Sequence, residues 1–294
     1  MPSYTILTDS SCNLTEELID AHELEILSLR FMNEGNEYTS YLKGETTDLG
    51  MFYRMMREGK VFTTSLPNQQ ASSDIIRSIL DRGQDILYVG FSSGLSGTYE
   101  ATVNLLDNMR SEYPERKIYT CDTRGASLGQ GLLVLYAADM REAGKSIEDT
   151  HAWLEEHRFH LAHWFTVDDL MYLYRGGRVS RTSATAANIL SIKPVLHMDN
   201  PGHLIPREKV RSRKRSIKAL FNHMVESYDS SYGPQHIAIS HGDCLEDALE
   251  LKAMIEAEPS FDIRDFTINY VDPVIGSHSG PGTLALFFLA GSRG

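Results

Sequence analysis

The reading of one stretch, 85-DILYVGFSSGLSGTYEA-101, decides the fold. "DILYVGF" is a short apolar run suited to a buried strand. "LSGTYEATVNLLDNMR" then spaces Ala101, Leu105, Leu106 and Met109 as one face of a helix. Between them lies a polar turn, Ser92-Ser93-Gly94. The same unit appears twice more. "YTILTD" leads through Thr8-Asp9-Ser10-Ser11 into "LTEELIDAHE", and "KIYTCDT" leads through Asp122-Thr123-Arg124 into "ASLGQGLLVLYAADMREAG". Strand, turn and helix in repetition predict an α/β fold with a parallel sheet covered by helices. Such sheets place ligands at the carboxyl ends of their strands, where all three turns fall.

The second half follows another pattern. "HLAHWFTVDDLMYLYRGGRVS" predicts a strand running into a helix stopped at Gly176-Gly177. "ATAANILSIKPVLHMDNPGHLIPREKV" predicts a helix, then two strands joined by an Asn-Pro-Gly turn, hence an antiparallel hairpin. "RSIKALFNHMVESY" is helical, "HIAIS" and "DFTINYVD" are strands flanking the helix "LEDALELKAMIEAE", and "GTLALFFLAG" is a buried strand or short helix. The expected division is a parallel α/β domain over 1–160 and an α+β domain over 161–294. No Pro/Gly/Ser-rich linker separates the two, which predicts tight packing.

The chain has 294 residues and a formal net charge of −12, which argues against nucleic acid as a partner. No apolar run approaches the ~20 residues of a membrane helix. The opening "MPSYTILTDSS" lacks the basic-then-apolar layout of a secretory signal. Cys12, Cys121 and Cys244 form no C-x-x-C pair, so neither a disulfide framework nor a zinc site is expected. A cytoplasmic protein with no metal and no cofactor is the expectation. No phosphate-binding G-x-x-x-x-G-K-[ST] loop is present.

Gly90-Phe91-Ser92-Ser93-Gly94 satisfies the G-x-S-x-G pattern of a hydrolase nucleophile elbow, and His278 lies late in the chain, as that triad order requires. Ser92 as nucleophile with His278 as base is therefore one alternative. The turn is long for an elbow, however, and the pattern is short. The other reading is an anion site: backbone N–H groups at a helix start favour a carboxylate or phosphate, and Ser92, Ser93, Ser96 and Thr98 add hydroxyl donors. Ser96 also reads as a plain helix cap. In "VFTTSLPNQQ", Thr64 or Ser65 before a rigid proline is a further donor to an anion or an ordinary capped turn. His278, in the Gly-rich "IGSHSGPG", either contacts an anion or is a structural histidine. Arg178 follows the helix stop. Arg211 lies in "REKVRSRKRSIK" (207–218), a basic run that reads as a solvated face or as a docking patch for an anion or acidic partner.

Together, "TDSSCNL", "TTSLPN", "SSGLSGTYEA", "CDTRGASLGQGLLV", "LMYLYRGGRVS", "NILSIKPVL" with the basic run, and "GSHSGPGTLALFF" resemble, in order, the motifs of the DegV family of bacterial fatty-acid-binding proteins. Leu66 and Asn68 depart from that family's T-S-Q-P-S motif. The resemblance implies a non-catalytic protein with one long-chain fatty acid in a tunnel between two domains. It implies that Thr64, Ser92 or Ser93, and His278 hold the carboxylate, and that Arg178 and Arg211 lie near the head group or on a partner face. It further implies that the acyl chain is presented to a separate fatty acid kinase subunit for acyl-phosphate formation and phospholipid synthesis, with at most transient contact with a membrane surface. A serine hydrolase and a phosphate-binding protein are the competing expectations.

Overall fold

The computed structural model describes residues 4–45, 47–180 and 192–293. Its first sheet is built from β1 (Thr5–Asp9), β2 (Glu25–Leu27), β6 (Ile86–Gly90) and β7 (Ile118–Asp122), ordered β2-β1-β6-β7 and parallel throughout. Alternation along these strands explains why both faces are covered. Ile6, Leu87 and Val89 face the helices Leu128–Glu142 and Ile147–His157, whereas Leu7, Ile86 and Tyr88 face Gln69–Asp81 and Thr98–Glu112.

After the helix Ile147–His157 the chain enters a six-stranded mixed sheet, ordered β10-β9-β8-β13-β11-β12. Its strands are β8 (Leu161–Thr166), β9 (Ile192–Met198), β10 (Leu204–Arg211), β11 (Gln235–His241), β12 (Ile263–Tyr270) and β13 (Leu284–Leu289). The expected hairpin is β9–β10, antiparallel across residues 199–203. The terminal apolar segment, ambiguous by periodicity, is the strand β13 at the sheet's centre. One face of this sheet packs Trp164, Ile237 and Phe288 against helices Arg213–Ser227 and Leu245–Glu256. The other face, with Leu161, Phe165, Ala285 and Phe287, shares a core with the helix Leu128–Glu142. That helix is apolar almost all round because it lies between the two sheets. The helix predicted upstream of Ile192 lies outside the described residues.

Residues 25–65 contain elements that the sequence pattern does not announce. β3 (Arg30–Asn33), β4 (Asn36–Thr39) and β5 (Thr63–Ser65) form a small antiparallel sheet, ordered β4-β3-β5, with the helix Leu49–Arg57 inserted between its last two strands. The β3–β4 turn is Glu34-Gly35, both at positive φ, the geometry of a tight hairpin. Phe31, Phe52 and Phe62 give this lobe its own aromatic core, which also takes in Val274 from the second half.

Several buried polar groups hold the halves together. His236 of β11 bonds Asp139 of the central helix at 2.9 Å and Asp265 of β12 at 2.7 Å. Arg293 is 2% exposed, and its guanidinium donates to the carbonyls of Thr123, Arg124, Arg158 and Asp199. Those carbonyls belong to the carboxyl end of β7, the start of β8 and the β9–β10 turn. Replacing the guanidinium with an apolar group strands several buried acceptors. Arg293→Met is expected to lower unfolding free energy by about 2–4 kcal/mol, measured by urea denaturation; a loss within experimental error would contradict this role.

Candidate functional site

A cavity of about 290 Å³ lies between the two sheets and the small aromatic lobe, close to the ~300–1,000 Å³ usual for small-molecule sites. Its wall is largely apolar, with Leu29, Phe91, Phe165, Met198, Val271 and Phe287 among the contributors. Its polar groups gather around one contact. The Thr64 hydroxyl lies 2.8 Å from His278 Nε2, joining residues 214 apart in sequence.

Each partner is positioned by local structure. Thr64 is the middle residue of β5, paired with Phe31 of β3. His278 lies on the helix Pro273–Ser279, not in a Gly-rich loop as expected from "IGSHSGPG". Asp272 caps that helix, accepting from the N–H groups of Val274 at 3.0 Å and Ile275 at 3.1 Å, with Pro273 opening the first turn. Burial pushes the Asp272 carboxyl above its ordinary range, and the Ser40 hydroxyl donates to it at 2.7 Å. The imidazole also presses on the chain at Gly176, where a Cβ would sit 2.4 Å from Nδ1. This explains a glycine within "RGGR" beyond its role in stopping the helix.

Arg178 lies on the same wall. Its Nε donates to the Leu95 carbonyl at 3.2 Å and its Nη1 to the Gly176 carbonyl. No carboxylate pairs with it among the described residues. Its charge is therefore opposed by burial and compensated in part by these two carbonyl dipoles. Burial, and then the nearby Arg178 charge, push His278 down to about 4, so the ring is neutral at pH 7. A half-buried guanidinium, a neutral imidazole and a threonine hydroxyl on one wall have the chemistry to receive one negative group.

Ser65 and Ser96 also line the cavity. The Ser96 hydroxyl accepts the Thr98 N–H at 3.2 Å and shares a bond with the Thr98 hydroxyl, so it helps start the helix Thr98–Glu112 while facing the site. Three other expected residues are placed elsewhere. Ser92 is fully buried, and its hydroxyl donates to the Gly202 carbonyl at 3.0 Å and accepts from Gly94 N–H at 3.2 Å. Ser93 anchors the turn, its N–H on Asp122 Oδ1 at 3.3 Å. Arg211 is exposed at the end of the edge strand β10. None of the three lines the cavity. The three polar turns largely satisfy one another: the Asp9 carboxylate accepts the Phe91 N–H at 3.0 Å, and the Thr123 hydroxyl donates to Gly90 O at 2.7 Å. The same geometry argues against a nucleophile elbow, because the Ser92 hydroxyl donates to a carbonyl while His278 engages Thr64.

The glycines of that motif serve packing. A Cβ on Gly94 would lie 2.7 Å from the Pro201 and Gly202 carbonyl oxygens, and one on Gly202 would lie 2.1 Å from the Ser92 hydroxyl. The turn after β6 and the β9–β10 turn meet backbone to backbone. Sequence reading also missed several polar cavity residues. Ser279 adjoins His278, and its buried hydroxyl has no hydrogen-bond partner among the described residues. Ser127 is held at φ +57 by bonds of 2.7 Å to Asn13 and Ser240. His163 sits on β8 within an apolar stripe. Ser279 was recoverable as the neighbour of the singled-out histidine; the other two depend on tertiary contacts. Ser92→Ala is expected to cost about 1–3 kcal/mol of stability through the orphaned Gly202 carbonyl, while leaving ligand affinity within threefold. A large affinity loss with unchanged thermal stability would place Ser92 in the receptor after all.

The sequence profile of the family described as "Uncharacterised protein, DegV family" matches residues 3–291. A DegV domain-containing protein of Clostridium perfringens is 40% identical over 293 residues, covering 100% of this chain and 99% of that protein. One from Streptococcus pyogenes is 31% identical, covering 98% of each. Among solved structures, a DegV family protein from Thermus thermophilus, described as binding fatty acid, superposes with a TM-score of 0.85 at 26% identity, covering 99% of this chain and 100% of that one. DegV of Bacillus subtilis, described as a fatty acid binding protein, superposes at 0.82 with 28% identity and the same coverage. By sequence along its whole length and by fold, this chain belongs to the DegV family.

Proposed function

We propose that this protein binds one long-chain fatty acid and presents it to a separate kinase subunit, which phosphorylates the carboxylate for phospholipid synthesis. The observation that carries the binding half is the pairing of Thr64 with His278, beside Arg178, which no carboxylate pairs among the described residues, on the wall of a largely apolar cavity. A fatty acid matches that division. Its tail gains about 0.8 kcal/mol for each methylene buried. Its carboxylate costs several kcal/mol to bury unless hydrogen-bonded. With the anion seated, the Thr64 hydroxyl and His278 Nε2–H both donate to it, and the Ser279 hydroxyl, without a partner among the described residues, supplies a further donor. The solved relatives that bind fatty acids support this reading.

The presentation step rests on the family resemblance and on surface charge. Arg207, Lys209 and Arg211 are exposed on edge strand β10, and Lys214, Arg215 and Lys218 are exposed on the following helix. On a chain of net charge −12 this cationic face suits an acidic docking partner. No helix among the described residues is long and apolar enough to cross a membrane. The three cysteines are unpaired, which accords with the reducing cytoplasm that we assign to the protein.

Two outcomes test the receptor. In delipidated protein, Thr64→Val and His278→Gln are each expected to weaken oleate by about 10- to 100-fold, the worth of one bond to a charged group. Titration calorimetry that finds both variants equal to wild type contradicts the proposal. The neutral His278 also predicts a pH effect. The unfolded chain takes up a proton on this ring near pH 6.5, whereas the folded ring resists down to about 4. Folded stability contributed by the neutral ring is thus present above pH 6.5 and is lost as pH falls toward 4. The melting temperature of ligand-free His278→Gln should therefore fall less over that range than that of wild type; parallel curves would deny the buried, neutral imidazole.

A further inference from the structure

The inner face of the six-stranded sheet is apolar at Leu161, Phe165, Ala285 and Phe287, but His163 interrupts it. His163 faces Phe287 in register, edge to face, with ring centroids 5.2 Å apart. Its Nδ1 lies 3.0 Å from the Leu161 carbonyl, which fixes the tautomer: Nδ1 carries the proton and Nε2 presents a lone pair. The partner of that lone pair is the Ala126 N–H at 3.4 Å, beyond the usual 2.7–3.2 Å of such bonds. Gly125 and Gly129 make room for the ring, since a Cβ on either would lie 2.9 or 2.2 Å from Nε2. His163, Ala126 and Ser127 all line the cavity.

The sheet register sets the depth of this group. Thr283, near the polar end, directly precedes β13, and His163 is the cross-strand partner of Phe287, four residues further along. At about 3.4 Å per residue that is roughly 14 Å along β13 from Thr283, whose hydroxyl bonds the Gly280 carbonyl just past the His278 helix. An acyl chain anchored at His278 and Thr64 that follows β13 meets His163 partway along its length. A plain hydrocarbon there leaves the imidazole acceptor with only its long bond to Ala126; a hydroxyl at that level donates to it.

We propose that the cavity accepts fatty acids bearing a hydroxyl group near mid-chain, with that hydroxyl donating to His163 Nε2. The proposal rests on the fatty-acid reading above. It is tested by titrating delipidated protein with stearate, 2-hydroxystearate, 10-hydroxystearate and 12-hydroxystearate. The expected result is that at least one mid-chain hydroxy acid binds as tightly as stearate or more so, and that 2-hydroxystearate gains nothing comparable. His163→Phe is expected to shift the ratio at least tenfold toward stearate. If both mid-chain hydroxy acids bind tenfold or more weaker than stearate in wild type, or if His163→Phe leaves the ratio unchanged, the proposal is overturned. Should that variant not fold, the wild-type ratio decides alone. Failure of stearate itself to bind would instead defeat the fatty-acid reading.

Discussion

A threonine hydroxyl and a neutral imidazole meet at 2.8 Å across 214 residues of sequence, and much of the molecule serves that contact. Thr64 is brought there by the small β3–β5 sheet, whose aromatic core also packs against Val274. His278 is brought there by a two-turn helix whose start is fixed by a buried carboxylate and a proline. The ring is pressed against Gly176, so its orientation is set on that side by backbone. Arg178 closes the set with a positive charge that the protein itself leaves without a counter-ion among the described residues. Holding such a charge half-buried costs free energy, and an anionic ligand recovers it.

The contact exists because the two halves cannot drift apart. Gly94 and Gly202 let two turns touch backbone to backbone, and Ser92 bonds across that seam. Arg293 gathers four carbonyls from three segments into one buried cluster. His236 ties the central helix to β11 and β12 through two carboxylates. These polar devices surround a cavity that the two sheets leave unfilled, because both turn apolar faces toward the helix Leu128–Glu142 without closing on each other.

Much of the fold was readable because strand and helix periods are local properties. The three βα units, the β9–β10 hairpin and the stop at Gly176-Gly177 each follow from a few adjacent residues. The lobe over residues 25–65 was passed over because its strands are three or four residues long and its pairing is split by a helix, although Glu34-Gly35 carried a hairpin signal. The site was legible in part. Thr64, Ser65, Ser96, Arg178 and His278 do line one cavity. Ser92 was misassigned because a serine after a strand offers the same hydroxyl whether it faces a ligand or a neighbouring carbonyl, and only the approach of Gly202 decides. Arg211 belongs to an exposed strand edge that alternation alone does not locate. His163 resembled any other residue of a strand, since its meaning comes from the cavity beside it.

The most direct measurement is mass spectrometry of the purified protein under native conditions and of its solvent extract. This account predicts a mass excess of about one long-chain fatty acid per chain, released on extraction and restored when delipidated protein is mixed with free acid. A protein that emerges empty and takes up no fatty acid would contradict it.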